Sequence, residues 1–282
     1  MPLRDFRGKG RLGRPSEWNL NTDYPSRIVC LTEETTEVLY RIGAGDLVVG
    51  VSGYTVRPPE ARRKPRVSAF IQANFEKILR LNPDLVLGFS DLQADIAKDL
   101  IRRGLWVVTF NQRSVEEIYR MVRVLGGMVG RAEAAQTLVQ ELQEGVEKVR
   151  EKGEALLRRP RVFFEEWPDP LISGIRWVSE LIEVAGGEDV FPELRRHGEA
   201  RGRIVAAAEV VRRAPEVIIG SWCGRKVRFD TIRGRPGWDQ IPAVRRGKLY
   251  EIKSALILQP GPAALTDGLA KLHEIIAEAS LG

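Results

Sequence analysis

The residues of this chain that could carry out acid–base chemistry are two adjacent glutamates, Glu165 and Glu166. They stand at the end of the run 161–165, which has the composition of a buried strand. Two carboxyl groups in that position can act as a general acid and a general base. More often such acids are exposed or pair with an arginine, for which Arg176 is a candidate. No G-x-S-x-G or P-loop motif accompanies them, so we predict no catalytic residues and no enzyme.

Cysteine and histidine, the usual ligands of transition metals, are scarce in this chain. The two cysteines, Cys30 and Cys223, lie in apolar surroundings and have neither disulfide nor metal-site spacing. The two histidines, His197 and His273, lie far apart among polar neighbours. A histidine-rich zinc or manganese site cannot be built from them. We therefore expect no metal site made by the protein and no required cofactor.

Aromatic and small polar side chains recur where predicted strands end. Ser52 and Tyr54 follow one strand, Phe89 follows another, Trp222 follows a third, and Phe70 precedes a predicted helix. In parallel α/β sheets, ligands bind beyond the carboxyl ends of the strands. Any single aromatic residue is more often part of the core, but rings at several strand ends provide a large contact area for a ligand. The set predicts a binding cleft for a flat, largely apolar molecule.

The elements that must position these residues alternate between short apolar runs and amphipathic runs. Predicted strands at 27–31, 47–51, 85–88, 106–110, 161–165, 217–220 and 248–252 are separated by predicted helices. This alternation indicates mostly parallel sheets covered by helices. One unit occurs twice, as a helix, a Pro, an acid, three apolar residues and a Gly. Pro215 follows Pro83 by 132 positions, as Gly220 follows Gly88, so we predict two related lobes.

The segment 131–159 separates the two copies and predicts one long helix. Its apolar residues recur at spacings of three, four and seven, which places them on one stripe. A helix of that length would measure roughly 40 Å, enough to connect two lobes. A long crossover helix within one domain is the alternative. The predicted organisation is a basic tail at 1–21, an N-terminal α/β lobe at 22–130, the interlobe helix at 131–159 and a C-terminal α/β lobe at 160–282.

Charge and hydropathy limit the partners and the location. The net charge is +6, but 38 acidic residues are interspersed with 44 basic ones and no nucleic-acid-binding motif appears. We expect no nucleic-acid partner and a monomer. No window approaches the ~20 apolar residues of a membrane span, and the N-terminus has no apolar segment typical of a secretory signal. As written, the chain is expected in the cytoplasm, or in the periplasm or outside the cell if a leader was removed.

Several segments resemble the two-lobed substrate-binding proteins of ABC importers for cobalamin, haem and iron–siderophores. The similar segments include GVSGYTVRPPEA, NFEKILRLNPDLVLGF, WVSELIEVAGGEDVF and QPGPAALTDGLAKLHEII, and the resemblance extends from Arg27 to the C-terminus. GVSGYTVRPPEA is most similar to the vitamin B12-binding members. The resemblance implies two Rossmann-like lobes with mostly parallel sheets joined by one long helix, as in class III periplasmic binding proteins. It also implies a ligand held between lobes that move little.

The resemblance further implies roles for particular residues. Tyr54 matches a residue that contacts the corrin, Phe70 and Phe89 match further aromatic residues, and Leu171 replaces the usual aromatic residue near Pro170. Glu76 matches a carboxylate that docks on an ABC transporter permease. The second docking position falls on Ala208, with Glu209 one residue later. We expect a ligand such as cobalamin or another metal chelate. An iron–siderophore or haem binding protein, or a cytosolic cofactor-handling protein on the same fold, is the alternative.

Overall fold

The N-terminal lobe is built on a six-stranded sheet. The computed structural model describes residues 23–281. The strands lie in the order β4-β3-β2-β1-β5-β6, and every neighbouring pair is parallel except β3 with β4. Their bounds are Ile28–Cys30 (β1), Val48–Ser52 (β2), Arg66–Ala69 (β3), Gln72–Ala73 (β4), Leu85–Phe89 (β5) and Val107–Phe110 (β6). Because β1, β2, β5 and β6 run in one direction, the residues that follow them lie at one edge of the sheet.

Four helices belong to this lobe: α1 (Glu33–Arg41), α2 (Phe75–Arg80), α3 (Ala94–Arg102) and α4 (Val115–Met128). Ser114 begins α4 with a capping box, in which its hydroxyl accepts from the amide of Glu117 and the Glu117 carboxylate accepts from the amide of Ser114. The sequence pattern predicts this box. Thr32 begins α1 without a side-chain cap. Its hydroxyl instead donates to the carboxylate of Glu34 at 2.6 Å.

The long helix α5 extends over Ala132–Glu154 and connects the two sheets. Its buried stripe contains the predicted apolar residues Ala135, Leu138, Val139, Leu142 and Val146. The helix ends five residues before the predicted boundary, because the chain turns at 155–159 ahead of Pro160. The hydrophobic cluster around α5 includes residues of both lobes, so the helix contributes to the packing of each.

The C-terminal lobe is built on a five-stranded sheet. Its strands are β7 (Arg161–Pro168), β8 (Leu171–Ser173), β9 (Glu188–Asp189), β10 (Val217–Gly220) and β11 (Leu249–Glu251). The order is β11-β10-β7-β8, with β9 also paired to β7. All pairs are parallel except β7 with β8. The helices are α6 (Arg176–Val184), α7 (Ala207–Arg213), α8 (Phe229–Arg233), α9 (Pro242–Arg245), α10 (Ser254–Ile257) and α11 (Leu269–Ser280).

The predicted fold class is confirmed: two α/β lobes with mostly parallel sheets are joined by one helix. The repeated units lie in different sheets, at α2–β5 and α7–β10. The predicted basic tail at 1–21 lies outside the described residues, and the other domain boundaries stay predictions. The sequence pattern predicts a closing helix over Pro262–Ala279, and in the structure Ala264–Gly268 of this run forms a π-helical turn before α11 begins. Within residues 23–281, no helix is both long and apolar enough to cross a bilayer.

Polar contacts connect the lobes in addition to the shared core. The Gln112 side chain donates to the carbonyl of Pro260 at 3.0 Å. The Glu180 carboxylate of α6 accepts from the first amide of α4, that of Val115, at 2.8 Å. Arg57 forms an ion pair with Asp267, on the opposite lobe. These contacts hold the two lobes together, and the region between the carboxyl ends of their strands is called the cleft below.

Candidate functional site

The N-terminal wall of the cleft presents Tyr54 on the turn after β2. Ser52, which ends β2, is almost fully buried, and its hydroxyl accepts from the amide of Tyr54 at 3.2 Å. The amide of Gly53 donates to the carbonyl of Ser68 in β3, which fixes the turn to the sheet. The side chain of Tyr54 is 48% exposed. Ser52 therefore positions the turn, and Tyr54 offers its ring to the solvent side of the cleft.

A single glutamine connects the two phenylalanines of the predicted site. Gln93 accepts from the amide of Phe89 at 2.9 Å and donates to the carbonyl of Phe70 at 2.7 Å. Phe70 is half-buried with a positive φ of 49°, a conformation uncommon for a bulky residue. Phe89 is buried, and the guanidinium of Arg113 lies 5.0 Å from its ring centroid. The structure thus brings Phe70 and Phe89 together, with Arg113 covering part of Phe89.

Trp222 supports the C-terminal wall from within. Its side chain is 4% exposed and packs in the cluster that contains Phe163 and Trp238. The indole N–H donates to the carboxylate of Glu165 at 3.1 Å. Leu171, the other predicted contact of this lobe, is buried in the same cluster. In this conformation neither side chain offers a free face to the cleft, because each fills the lobe's own core.

Glu165 and Glu166 lie within β7 and not at its end as predicted, because the strand continues to Pro168. Both are bound by arginines, but not by the predicted Arg176. Glu165 is fully buried and binds the guanidinium of Arg235 through both oxygens, at 2.6 and 2.9 Å. Glu166 binds the buried Arg203 in the same way, at 2.6 and 3.0 Å. Arg176 instead pairs with Glu180 within α6. Each carboxylate has a bidentate partner, which holds β7 to its neighbours.

Sequence reasoning missed two acids that follow β1 at the cleft. Glu33 and Glu34 begin α1 and are 8% and 1% exposed. Desolvation by burial raises the pKa of Glu33 to about 7 and that of Glu34 to about 8. A Cβ on Gly261 would lie 2.6 Å from Cβ of Glu34, so the loop 259–262 of the other lobe covers Glu34. Acids in a first helical turn are ordinarily solvated, and only the covering loop, distant in sequence, changes that.

The two predicted docking carboxylates differ in their surroundings. Glu76, in the first turn of α2, is exposed, and its side chain has no hydrogen bond or ion pair within residues 23–281. Glu209, in the first turn of α7, is bound by Arg212 and Arg213. Hydrogen bonds from these two arginines lower the pKa of Glu209 to about 2. A docking partner would therefore meet an unpaired carboxylate, Glu76, on the N-terminal lobe. On the C-terminal lobe it would meet Glu209, whose negative charge two arginines already compensate.

A separate groove of about 700 Å³ lies between α4, α5 and α6, away from the strand ends. Its lining includes Tyr119, Glu144, Arg150, Arg176 and Glu183. These side chains come from the helices that cover the sheets, so the groove is not part of the predicted site. In the described part of the chain, no group of three or more His, Cys, Asp or Glu residues could hold a metal ion.

The chain is similar to known proteins over most of its length. The profile of the family described as "Periplasmic binding protein" matches residues 28–256. An uncharacterized ABC transporter substrate-binding lipoprotein, YvrC of Bacillus subtilis (strain 168), is 28% identical over 262 residues, which cover 89% of this chain and 80% of that protein. A vitamin B12-binding protein of Vibrio cholerae serotype O1 (strain N16961) is 28% identical over 243 residues, which cover 85% of each.

A solved structure has the same arrangement of lobes. It is that of a possible iron-binding, periplasmic solute-binding protein of Staphylococcus epidermidis. The TM-score is 0.76 at 25% sequence identity, with 89% of this chain and 98% of that chain covered. The similarity therefore includes both sheets and the helix between them.

Proposed function

This chain belongs to the periplasmic binding protein family, and on that premise we propose that it captures a corrinoid or a related metal chelate in the cleft between its lobes. The observation that carries the proposal is the similarity to a vitamin B12-binding protein over 85% of both chains. That extent spans both lobes rather than one, so it includes both walls of the cleft. The family consists of solute-binding proteins, and we propose capture and release of the ligand without turnover.

The N-terminal wall of the cleft suits a flat chelate. Tyr54 is exposed on a turn that Ser52 fixes to the sheet, and its side chain has no hydrogen bond among residues 23–281. Phe70 is half-buried nearby and is linked to Phe89 through Gln93. Aromatic rings give large contact area at a low cost in conformational entropy. We propose that Tyr54 and Phe70 contact the ligand with Phe89 beneath them, while Trp222 and Leu171 support the opposite wall from within the core of the C-terminal lobe.

An iron chelate is the second candidate ligand. The observation in its favour is the similarity to the possible iron-binding protein of Staphylococcus epidermidis. Haem and iron–siderophores are the two forms of this candidate. Tyr54 offers a phenolate oxygen that could bind ferric iron in haem. The alternative to a role in transport is a cytosolic cofactor-handling protein. Such a protein would convert the bound chelate into another species, whereas a transport protein would release it unchanged.

We propose an ABC transporter permease as the partner and a location outside the cytoplasmic membrane. The support is the similarity to a substrate-binding lipoprotein of ABC transport over 89% of this chain. Glu76 is the candidate contact, because its carboxylate is exposed and unoccupied among the described residues. Glu209 is a weaker candidate, because Arg212 and Arg213 already bind it.

The proposed function is tested by titrating the protein with cobalamin, cobinamide and haemin while tryptophan fluorescence is followed. Tyr54→Ala should weaken binding by about 1–2 kcal/mol, roughly five- to thirtyfold, because it removes one ring from the contact. Trp106→Ala is the matched control, since Trp106 is also exposed but precedes β6, at the opposite edge of the sheet. Mass spectrometry of ligands that co-purify with the protein identifies the natural chelate.

The titration contradicts the proposal if none of the three ligands binds at concentrations below about millimolar. The cleft assignment is also contradicted if Tyr54→Ala binds the ligand as tightly as the parent does, as the control Trp106→Ala is expected to. Conversion of a bound chelate into a new species would favour the cofactor-handling alternative.

A further inference from the structure

The loop that carries Tyr54 is supported unevenly. This loop, 53–60, follows β2 and is called the Tyr54 loop below. Its first half is fixed to the sheet by backbone hydrogen bonds. Its second half, 56–60, lines a groove of about 550 Å³ together with three residues of α1. The amides of Val56 and Arg57 donate no hydrogen bond among residues 23–281, so side chains must hold this half in place.

Arg57 holds the second half of the Tyr54 loop at two points. Its Nε donates to the Glu37 carboxylate at 3.1 Å, and its Nη1 donates to the Asp267 carboxylate at 2.5 Å. Glu37 lies in α1 of the N-terminal lobe, whereas Asp267 lies on the π-helical turn of the C-terminal lobe. The donors of a guanidinium have a fixed planar arrangement. Binding both carboxylates therefore fixes Arg57, and the loop with it, relative to both lobes.

The turn that presents Asp267 is itself packed tightly. A Cβ on Gly268 would overlap the carbonyl oxygen of Leu256 in α10, so the turn lies directly on that backbone. Ala264 and Leu265 of the same turn are buried in the hydrophobic cluster around α5. The carboxylate that binds Arg57 across the lobes therefore comes from a rigid part of the C-terminal lobe.

Extending the proposed function, on which this inference rests, we propose that Arg57 is a positioning residue whose ion pair with Asp267 holds the Tyr54 loop in its chelate-binding conformation. The ring of Tyr54 already faces the opposite lobe, 3.9 Å from the place that a Cβ on Gly224 would occupy. Both groups of the ion pair belong to the protein, so the loop is ordered before a ligand arrives. A loop held in this way loses less conformational entropy on binding, which raises the affinity.

The exposure of the ion pair sets the size and the salt dependence of its effect. The side chain of Arg57 is 32% exposed and that of Asp267 is 54% exposed. Water and dissolved ions weaken a pair in such a position. Loss of the pair should therefore weaken binding of the chelate by only about two- to fivefold. High salt should have the same effect on the parent protein.

The test titrates Asp267→Asn and a matched control, Glu141→Gln, with cyanocobalamin. Glu141 pairs with Arg41 at similar side-chain exposures, 61% and 31%, but this pair joins α1 to α5. At low salt, Asp267→Asn should bind about two- to fivefold more weakly than the parent, and Glu141→Gln should bind as the parent does. Raising the salt from about 0.01 to about 1 M, which shortens the Debye length from roughly 30 to 3 Å, should weaken binding by the parent but not by Asp267→Asn. Cyanocobalamin has no net charge, so the salt acts on charges of the protein.

Two further measurements separate positioning from a loss of stability. Arg57→Lys keeps the charge but has one ammonium in place of the planar fork, so its affinity should lie between those of the parent and Arg57→Gln. Hydrogen–deuterium exchange of the free proteins follows the amides of 53–55, which are hydrogen-bonded in the first half of the Tyr54 loop. They should exchange about two- to fivefold faster in Asp267→Asn and at the rate of the parent in Glu141→Gln.

The results that overturn the proposal differ in what else they affect. If Asp267→Asn keeps the affinity, salt dependence and exchange of the parent, or if Glu141→Gln changes them equally, the positioning role is wrong while chelate capture stands. If the parent binds neither cyanocobalamin nor haemin, chelate capture is wrong and the role of Arg57 in it with it. If haemin alone binds, the same variants are titrated with haemin, and the difference between Asp267→Asn and Glu141→Gln decides.

Discussion

Glu34 is the residue whose environment departs furthest from what the local sequence suggests. One carboxylate oxygen accepts from the hydroxyl of Thr32, and the other is buried without a hydrogen-bond partner among residues 23–281. The covering loop at Gly261 excludes water from this carboxyl. Burial, with a smaller contribution from the charge of Glu33, raises its pKa from 4.5 to about 8. The folded protein therefore holds a proton on Glu34 that the unfolded chain releases above pH 4.5.

The free energy of unfolding should consequently fall as pH rises from about 5 to 8. The native state binds more protons than the unfolded state in this range, so the slope is negative, up to about 1.4 kcal/mol per pH unit for one group. Glu34→Gln should flatten the dependence, leaving the contribution of Glu33, whose pKa is raised to about 7. Urea denaturation at several pH values measures this. Exposed Glu76→Gln is the control, and an unchanged slope in Glu34→Gln would refute the assignment.

What could be predicted at the residue scale depended on local pattern. Tyr54 could be placed at the cleft because an apolar strand and a turn directly precede it. Arg235 could not be assigned to Glu165, because the two are 70 positions apart and no spacing rule joins them. The burial of Trp222 could not be predicted either, because it depends on the hydrogen bond to Glu165 in β7 and on the surrounding core.

Two glycines in α5 show how an element's surroundings decide the effect of a substitution. Sequence reasoning treats Gly145 and Gly153 alike, as weak points of a helix. In the structure, a Cβ on Gly153 would lie 2.6 Å from the carbonyl oxygen of Val184 and 2.7 Å from the amide nitrogen of Gly186. A Cβ on Gly145 would meet nothing within 4 Å. Gly153 thus permits the close approach of α5 to the end of α6.

Gly153→Ala should destabilise the protein by about 1–3 kcal/mol, because backbone atoms must move to admit the methyl group. Gly145→Ala should stabilise it by about 0.5–1 kcal/mol, because alanine favours the helix and the site is open. Urea denaturation of the two variants beside the parent gives both values. Changes of the same sign would contradict the packing of α5 against α6.

At the scale of elements, long periodic segments could be predicted and short ones could not. The stripe of α5 and the capping box of α4 follow from sequence spacing alone. The edge strands β4 and β9 have only two residues each, too few to show an alternating pattern. The π-helical turn at Ala264–Gly268 was missed because its composition is that of an ordinary helix.

At the scale of the whole molecule, the two lobes share one hydrophobic cluster around α5 and are tied by polar contacts such as that of Glu180 with the amide of Val115. Such an arrangement favours a ligand that enters a largely preformed cleft. The sequence repeat predicted two lobes, but it could not show which loops meet across the cleft. The approach of Gly261 to Glu34 and of Gly224 to Tyr54 depends on the relative orientation of the lobes.

The central claim, that the chelate binds between the lobes, is tested most directly by hydrogen–deuterium exchange with and without saturating cobalamin, or haemin if that is the ligand that binds. We expect slower exchange at 52–57 and 221–226, the turns that follow β2 and β10, because a ligand there covers both. Exchange along α5 should not change. Protection confined to 115–119, 143–150 and 180–184, which line the groove between α4, α5 and α6, would contradict the account.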